Sequence, residues 1–357
     1  MTNAQSGVIA MKMTFTFLGA LVMSASLAQT AEVNKINPGE ENRGGTLPSS
    51  RFEVEDGYNI FLTTDFLWWR AQEDGLYFGQ EGFRGTTTNN PPIGEQNFKG
   101  NLAKINPPWE PGVRIGLGGN MPYDEWDIFL QWTYFKTDAR QSEHNGVIAL
   151  WGHQNIDQNV TERAKANWNL DMYVLDAELG RSFWVGKYLS MRPFFGLRGA
   201  WLDQEFKVHY DFATNPIIST KIRANTDFYS GGLRGGVDMR YNLFGGWSFY
   251  GQSSFSMLYG RFICDFHEHE NDTRIAKTED EYHQGIFTTQ MTLGVRWDTY
   301  VSHSRYHFTI SAAWEQNIWF DVNQMNHFIH QLHEGNMVKG NGNLTTQGGT
   351  FGARFDF

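Results

Sequence analysis

Arginines and carboxylates recur at alternate positions in several runs of this chain, as in Asp176–Glu178, Arg192 to Arg198 and Arg234–Asp238–Arg240, with Arg114, Arg296 and Glu315 in similar settings. Side chains two apart along a strand share one face, so each run would hold its charges on a single side. Such a face can do one of two things. Guanidinium and carboxylate groups around a narrow passage set which ions it admits. Alternatively they pair with one another and fill the interior, because a buried charge must be compensated. Both readings stay open for Arg114, Asp176, Glu178, Arg192, Arg198, Arg234, Asp238, Arg240, Arg296 and Glu315, together with Asp65 and Asp127.

Other chemistry is thinly represented. His267 and His269 flank Glu268, and His327, His330 and His333 would share one side of a short helix. Neither set has the ligand pattern of a metal centre, so no metal and no cofactor is expected. No nucleotide-binding glycine loop, paired-carboxylate signature or activated Ser or Cys arrangement stands out, and no catalytic residue is assigned. His and acidic residues at 265–283 are the only candidates for a barrel enzyme, the least favoured class. The acidic excess of that stretch could draw cations or divalent ions between lipopolysaccharide phosphates, or be a solvated loop. A formal charge of −10 gives no electrostatic basis for nucleic-acid binding.

The elements that must position the charges are strands. Aromatics make up 15% of the 357 residues and charged residues 19%. After the first thirty residues no run holds the ~18 consecutive apolar residues a spanning helix needs. The mean hydropathy of −0.47 still allows a β-barrel, because half of each spanning strand faces a polar interior. Met11 to Ala28 carries Lys12, an apolar stretch from Phe15 to Val22 and a Ser26–Leu27–Ala28 exit, the pattern of a secretory signal peptide preceded by an extension. Its removal takes one Lys and moves the charge from −10 to −11. Residues 29–56 read as a flexible periplasmic tail and 57–357 as the barrel. The single Cys264 forms no internal disulfide and reads as a thiol in a loop, with an intermolecular bridge as the other option.

Period-two alternation marks ten segments: 58–70, 112–120, 126–136, 167–181, 190–202, 227–241, 247–262, 283–298, 306–318 and 344–357. Their outward sets are apolar, as in Ile128, Leu130, Trp132 and Tyr134, or Phe255, Met257 and Tyr259, and Trp68 and Trp69 mark the upper end of the first. Pro193 belongs near a strand start or at a bulge, since it cannot donate to a ladder. Links at 121–125, 182–189, 242–246 and 299–305 are short; those at 70–111, 137–166, 203–226, 263–282 and 320–343 are long. Short and long alternate throughout. That asymmetry predicts an all-β transmembrane antiparallel barrel of about ten strands, or twelve and more if the first two long links each hide a hairpin, with short periplasmic turns and long outer loops. The segment ending in Phe355 and Phe357 closes it against 58–70, and these two aromatics form the expected assembly signal for the barrel-insertion machinery.

Several motifs resemble the Legionella-type major outer-membrane proteins and their chlamydial pore-forming relatives. They are Thr64 to Trp69 with Glu73 to Leu76, Trp109 to Gly112, Trp126–Asp127, Trp132–Thr133, Leu175–Asp176 through Leu179–Gly180–Arg181, Arg192 to Arg198, and Gly352 to Phe357. The resemblance implies an outer-membrane, pore-forming barrel in a Gram-negative bacterium. With one cysteine the chain cannot build the cross-linked coat of some chlamydial relatives. The expected function is a porin-like channel for small hydrophilic solutes or ions. The alternative is a surface-exposed structural or adhesin barrel with a plugged lumen. Membrane lipid, lipopolysaccharide and a possible homo-oligomeric copy are the expected partners.

Overall fold

The computed structural model describes residues 50–52, 54, 58–80, 101–121, 125–152, 160–212, 218–302, 305–328 and 337–357. The signal peptide, most of the tail before residue 58, and His330 and His333 lie outside the described residues, as does the side chain of His327. Ten strands carry the architecture. They are β1 (Ile60–Glu73), β2 (Glu110–Asn120), β3 (Trp126–Ala149), β4 (Val160–Arg181), β5 (Leu189–Phe212), β6 (Ile218–Asn242), β7 (Trp247–Glu270), β8 (Thr273–Val301), β9 (Tyr306–Asn323) and β10 (Gly342–Asp356).

Each strand pairs antiparallel with its neighbours in sequence, and β10 returns to β1, so the sheet closes into a ten-stranded barrel with no open edge. Closure is what lets strands span hydrocarbon, where an unpaired backbone group costs several kcal/mol. At the join Phe61 faces Asp356 and Glu73 faces Leu344. Two backbone bonds fasten its end, Ile60 N–H to Phe357 O at 3.1 Å and Phe357 N–H to Ile60 O at 2.9 Å.

The exterior is inside-out relative to a water-soluble protein. Leu117, Ile128, Phe195, Leu197, Leu233, Phe255, Leu293 and Phe351 are all exposed, while Arg114, Asp176, Glu178 and Arg234 are buried. Only a non-aqueous surround makes that arrangement favourable. On β7 the exposed set runs from Trp247 to Tyr259. At about 3.3 Å per residue and a tilt near 40° that is roughly 30 Å of height, the thickness of a hydrocarbon layer. Trp68 belongs to this surface, but its neighbour Trp69 is 1% exposed and points into the barrel, where its Nε1 donates to Thr350 Oγ1 at 3.2 Å. Strict alternation allows only one of the pair at the lipid interface.

Three of the long links anticipated from the sequence are instead ladder. β3 runs on to Ala149, β5 and β6 extend to Phe212 and from Ile218, and β7 and β8 meet at a two-residue turn. That turn is Asn271–Asp272, with φ of 45° and 66°, the left-handed pair a type I′ hairpin requires and Asn and Asp tolerate. The alternation flips phase at the membrane boundary. On β5 the apolar residues below are the outward Phe195, Leu197 and Trp201; above they are the inward Leu202, Phe206, Val208, Tyr210 and Phe212. Lipid rewards apolar groups outside and water rewards them inside, so each strand changes its apolar face where it leaves the bilayer. Cys264 lies in such an extension, inward and 2% exposed, rather than in a loop.

The first long link contributes a short ribbon, Tyr77–Gln80 with Leu102–Lys104, attached to the upper end of β3 at Ile148 and Ala149. It adds no further spanning hairpin among the described residues. Pro193 stands where the ladder between β4 and β5 ends at Phe194 and the two-residue strand Phe183–Trp184 takes over at Met191. A missing donor costs little at that break.

Candidate functional site

The lumen has three storeys. The lowest, at the end of the short turns, is a cavity of about 210 Å³ lined by Ser50, Phe52, Tyr250, Arg240, Arg296 and Arg354, among others. Residues 50–52 fold into this mouth. Phe52 stacks on the His307 ring at 3.7 Å between centroids and lies under the Arg240 guanidinium at 4.3 Å. Arg240 Nη2 donates to the Ser50 carbonyl at 3.0 Å, and Arg51 Nη1 donates to the Met121 carbonyl at 2.9 Å. His307 Nδ1 is 2.9 Å from Asp356 Oδ2, and Arg296 lies over the Tyr250 ring at 4.7 Å.

The middle storey is a belt of paired charge. Inward positions on different strands meet there because ring closure brings β9 within three strands of β2 through the β10–β1 join, and the narrow lumen lets side chains of β5 reach those of β8. Arg114 donates Nη1 and Nη2 to Glu315 at 2.9 and 2.7 Å, a two-pronged bond, and keeps Asp65 at 3.5 Å. Glu315 also accepts from Gln290 Nε2 at 2.9 Å, Asn317 Nδ2 at 3.1 Å and Thr350 Oγ1 at 3.1 Å. Gln290 Oε1 in turn accepts from Arg198 Nη2 at 3.1 Å and Arg234 Nη2 at 3.0 Å. Arg198 grips Asp176 at 2.6 and 2.8 Å, and Arg234 donates to Glu178 at 3.1 Å. Arg192 reaches Asp127 at 2.5 Å, Asp238 at 2.9 Å and Glu178 at 3.3 Å.

An unbroken chain of hydrogen bonds therefore crosses the lumen from Arg114 through Glu315, Gln290 and Arg198 to Asp176. Phe194 stiffens it, with the guanidiniums of Arg192 and Arg234 both 5.5 Å from its ring centre. A side chain at position 236 would occupy the space of that ring, so Gly236 leaves it room.

The upper storey is apolar. Trp69, Phe135, Trp168, Phe206, Phe228, Phe262 and Phe266 are each at most 1% exposed and belong to one contiguous core. Arg114 lies over Trp69 and Arg198 over Trp319, at 5.4 and 5.9 Å, so the belt packs directly against it. The ribbon of the first long link covers the top, with Phe78 fully buried, Tyr210 Oη donating to the Phe78 carbonyl at 2.5 Å and Trp151 Nε1 to the Tyr77 carbonyl at 2.7 Å. Glu73 reaches into this storey, where burial pushes its carboxyl up to about 8, partly offset by Gln204.

All ten candidate charges thus face the interior. Arg114, Asp176, Glu178, Arg192, Arg198, Arg234, Asp238 and Glu315 meet in the belt, and the lower cavity, which holds Arg240 and Arg296, reaches up to Arg114, Arg192, Asp238 and Glu315. Gln290, which joins the two halves of the belt, carries no charge to draw attention; its inward place in the alternation of β8 was its only signal. His267 and His269 face outward beside Arg223 and Lys221, a cationic setting that opposes a metal ion. Among the described residues no group of three potential ligands occurs.

A family model described as the Legionella pneumophila major outer membrane protein precursor matches residues 54–357. Among solved structures, a FadL homologue of Pseudomonas aeruginosa is 8% identical with a TM-score of 0.27, over 85% of this chain and 90% of that one. OmpT of Vibrio cholerae is 8% identical with a TM-score of 0.18, over 85% and 100%. Comparison with curated proteins gives no match.

Proposed function

The chain belongs to the Legionella major outer membrane protein family, and from that premise we propose that it serves as a surface-exposed structural barrel whose lumen is closed to diffusing solutes. The observation that carries this reading is the hydrogen-bonded chain from Arg114 to Asp176, which spans the lumen beneath an apolar storey. A hydrated ion meeting the belt must displace paired charges, and then enter a packed, mainly aromatic region with few polar groups, Glu73 and Gln204 among them. Both steps cost several kcal/mol. Ten strands leave little more interior than the eight whose side chains fill a barrel, which supports the same reading. Purified protein in liposomes loaded with potassium or small sugars should give no efflux above that of empty vesicles. Rapid efflux through folded protein would refute it.

A second reading, a porin-like channel for small hydrophilic solutes or ions, is favoured by the lower cavity, where Arg240, Arg296 and Arg354 gather at the mouth. It requires the belt to part. Efflux that depends on the sign of the solute would support it.

A further inference from the structure

Above the membrane the outward face of the sheet changes character in rows that the register defines. Tyr134, Tyr173, Trp201 and Tyr229 stand abreast on β3 to β6 and form the outer aromatic row. Asp171, Asp203 and Asp227 stand abreast just above them. Higher still, Arg140, Asn167, Lys207, Arg223 and His267 form one row across β3 to β7, and Ser142, Lys165, His209, Lys221 and His269 the next. These upper rows line a groove of about 950 Å³. Its lining holds six permanent cations (Arg140, Lys165, Lys207, Lys221, Arg223 and Arg274) and three histidines, and includes no carboxylate.

We propose that this groove binds the phosphorylated sugar core of lipopolysaccharide in the surrounding outer leaflet. Six like charges on one concave surface raise the local concentration of anions, and guanidinium and ammonium groups suit phosphate oxygens. Position selects the occupant. The groove lies on the same face as the lipid-facing band, so what fills it stands beside the barrel. From Trp201 to Lys207 is six residues, about 20 Å along a strand and roughly 15 Å in height at barrel tilt, which is the level of sugars rather than acyl chains. The carboxylate row lies between groove and aromatics and repels phosphate from the lower level.

The cations are available. Arg140, Lys221 and Arg223 have side chains 75%, 57% and 54% exposed, and their partners Asp138, Asp272 and Glu205 stand on the same surface. Exposed pairs of this kind are weak and exchange readily. Lys207 shares Glu205 with Arg223, and among the described residues no ion pair is seen for Lys165 or Arg274.

The test uses the whole barrel, folded in detergent, and compares binding of lipopolysaccharide with intact core phosphates against enzymatically dephosphorylated material. Inorganic phosphate and a heparin fragment serve as competitors. Folding of each variant is checked by heat-dependent gel mobility. Lys165→Gln should weaken binding about fivefold, and the combined Lys165→Gln, Lys207→Gln, Lys221→Gln and Arg223→Gln variant at least tenfold. Dephosphorylated lipopolysaccharide should bind the native chain as weakly as the intact form binds the combined variant. Equal binding by native and variant chains would overturn the proposal. So would heparin binding more tightly than lipopolysaccharide, which would mark a site for soluble polyanions, or full displacement by inorganic phosphate, which would mark an unspecific anion site. If the combined variant does not fold, Lys165→Gln alone decides.

Discussion

Replacing Glu315 by Ala removes the carboxylate on which the lumen belt converges. Glu315 is fully buried and accepts five hydrogen bonds, two of them from Arg114. Breaking one side of a buried pair strands the other charge and costs about 3–5 kcal/mol. Asp65 stays 3.5 Å from Arg114 and takes up part of the charge, which sets the expectation at the lower end, ~3 kcal/mol. Glu315→Gln keeps the shape and loses the charge, and should cost about 2 kcal/mol. The double variant Arg114→Met, Glu315→Leu leaves no orphaned charge and should return to within about 1 kcal/mol of the native chain. Reversible urea unfolding in lipid vesicles, followed by tryptophan fluorescence, measures all three. Glu315→Ala matching the native chain within about 1 kcal/mol, or the double variant being the least stable, would refute a belt held by paired charge.

Other consequences are independent of the belt. The Glu73 carboxyl is held up to about 8 by burial, above the usual 4.5. The folded form therefore prefers it protonated. Its contribution is lost as pH rises from about 4.5 to 8 and changes little above that. Glu73→Gln should gain stability over the native chain at pH 8 and lose that advantage at pH 4, read from urea midpoints at the two values. Deleting Phe357 removes both backbone bonds to Ile60 at the β1–β10 join and the terminal aromatic, and should reduce the fraction inserted into the outer membrane in cell fractionation. Normal insertion of that truncation would show that the terminus is not the assembly signal. Cys264, inward and 2% exposed, should resist a water-soluble thiol reagent in the folded barrel and react at once in denaturant. Rapid labelling of folded protein would place it at the surface.

The strands and their lipid face were legible in the sequence because lipid imposes one rule along each strand. Ile128, Leu130, Phe255 and Met257 read outward from alternation alone, and they are exposed. The upper half reads as loop for a physical reason of the same kind. Above the bilayer the apolar residues pass to the other face, so Leu202, Phe206 and Val208 break the phase set by Leu197 and Trp201, and a strand looks like a loop. Trp69 shows the limit in one residue, since two adjacent tryptophans cannot share a face. The inward charges were legible as a set, whereas their partners were not. Arg114 and Glu315 are 201 residues apart, and only the closure of β10 on β1 and the register around the ring bring them together. Whether twelve inward charges make a passage or a plug depends on those distances, which alternation does not encode.

Single-channel recording in planar bilayers tests the closed lumen most directly. Native protein, shown to be folded by its gel mobility, should add no stepwise current at moderate voltage, and Glu315→Ala should stay equally silent because the apolar storey above the belt remains. Reproducible steps from the native chain would contradict the account and restore the channel reading.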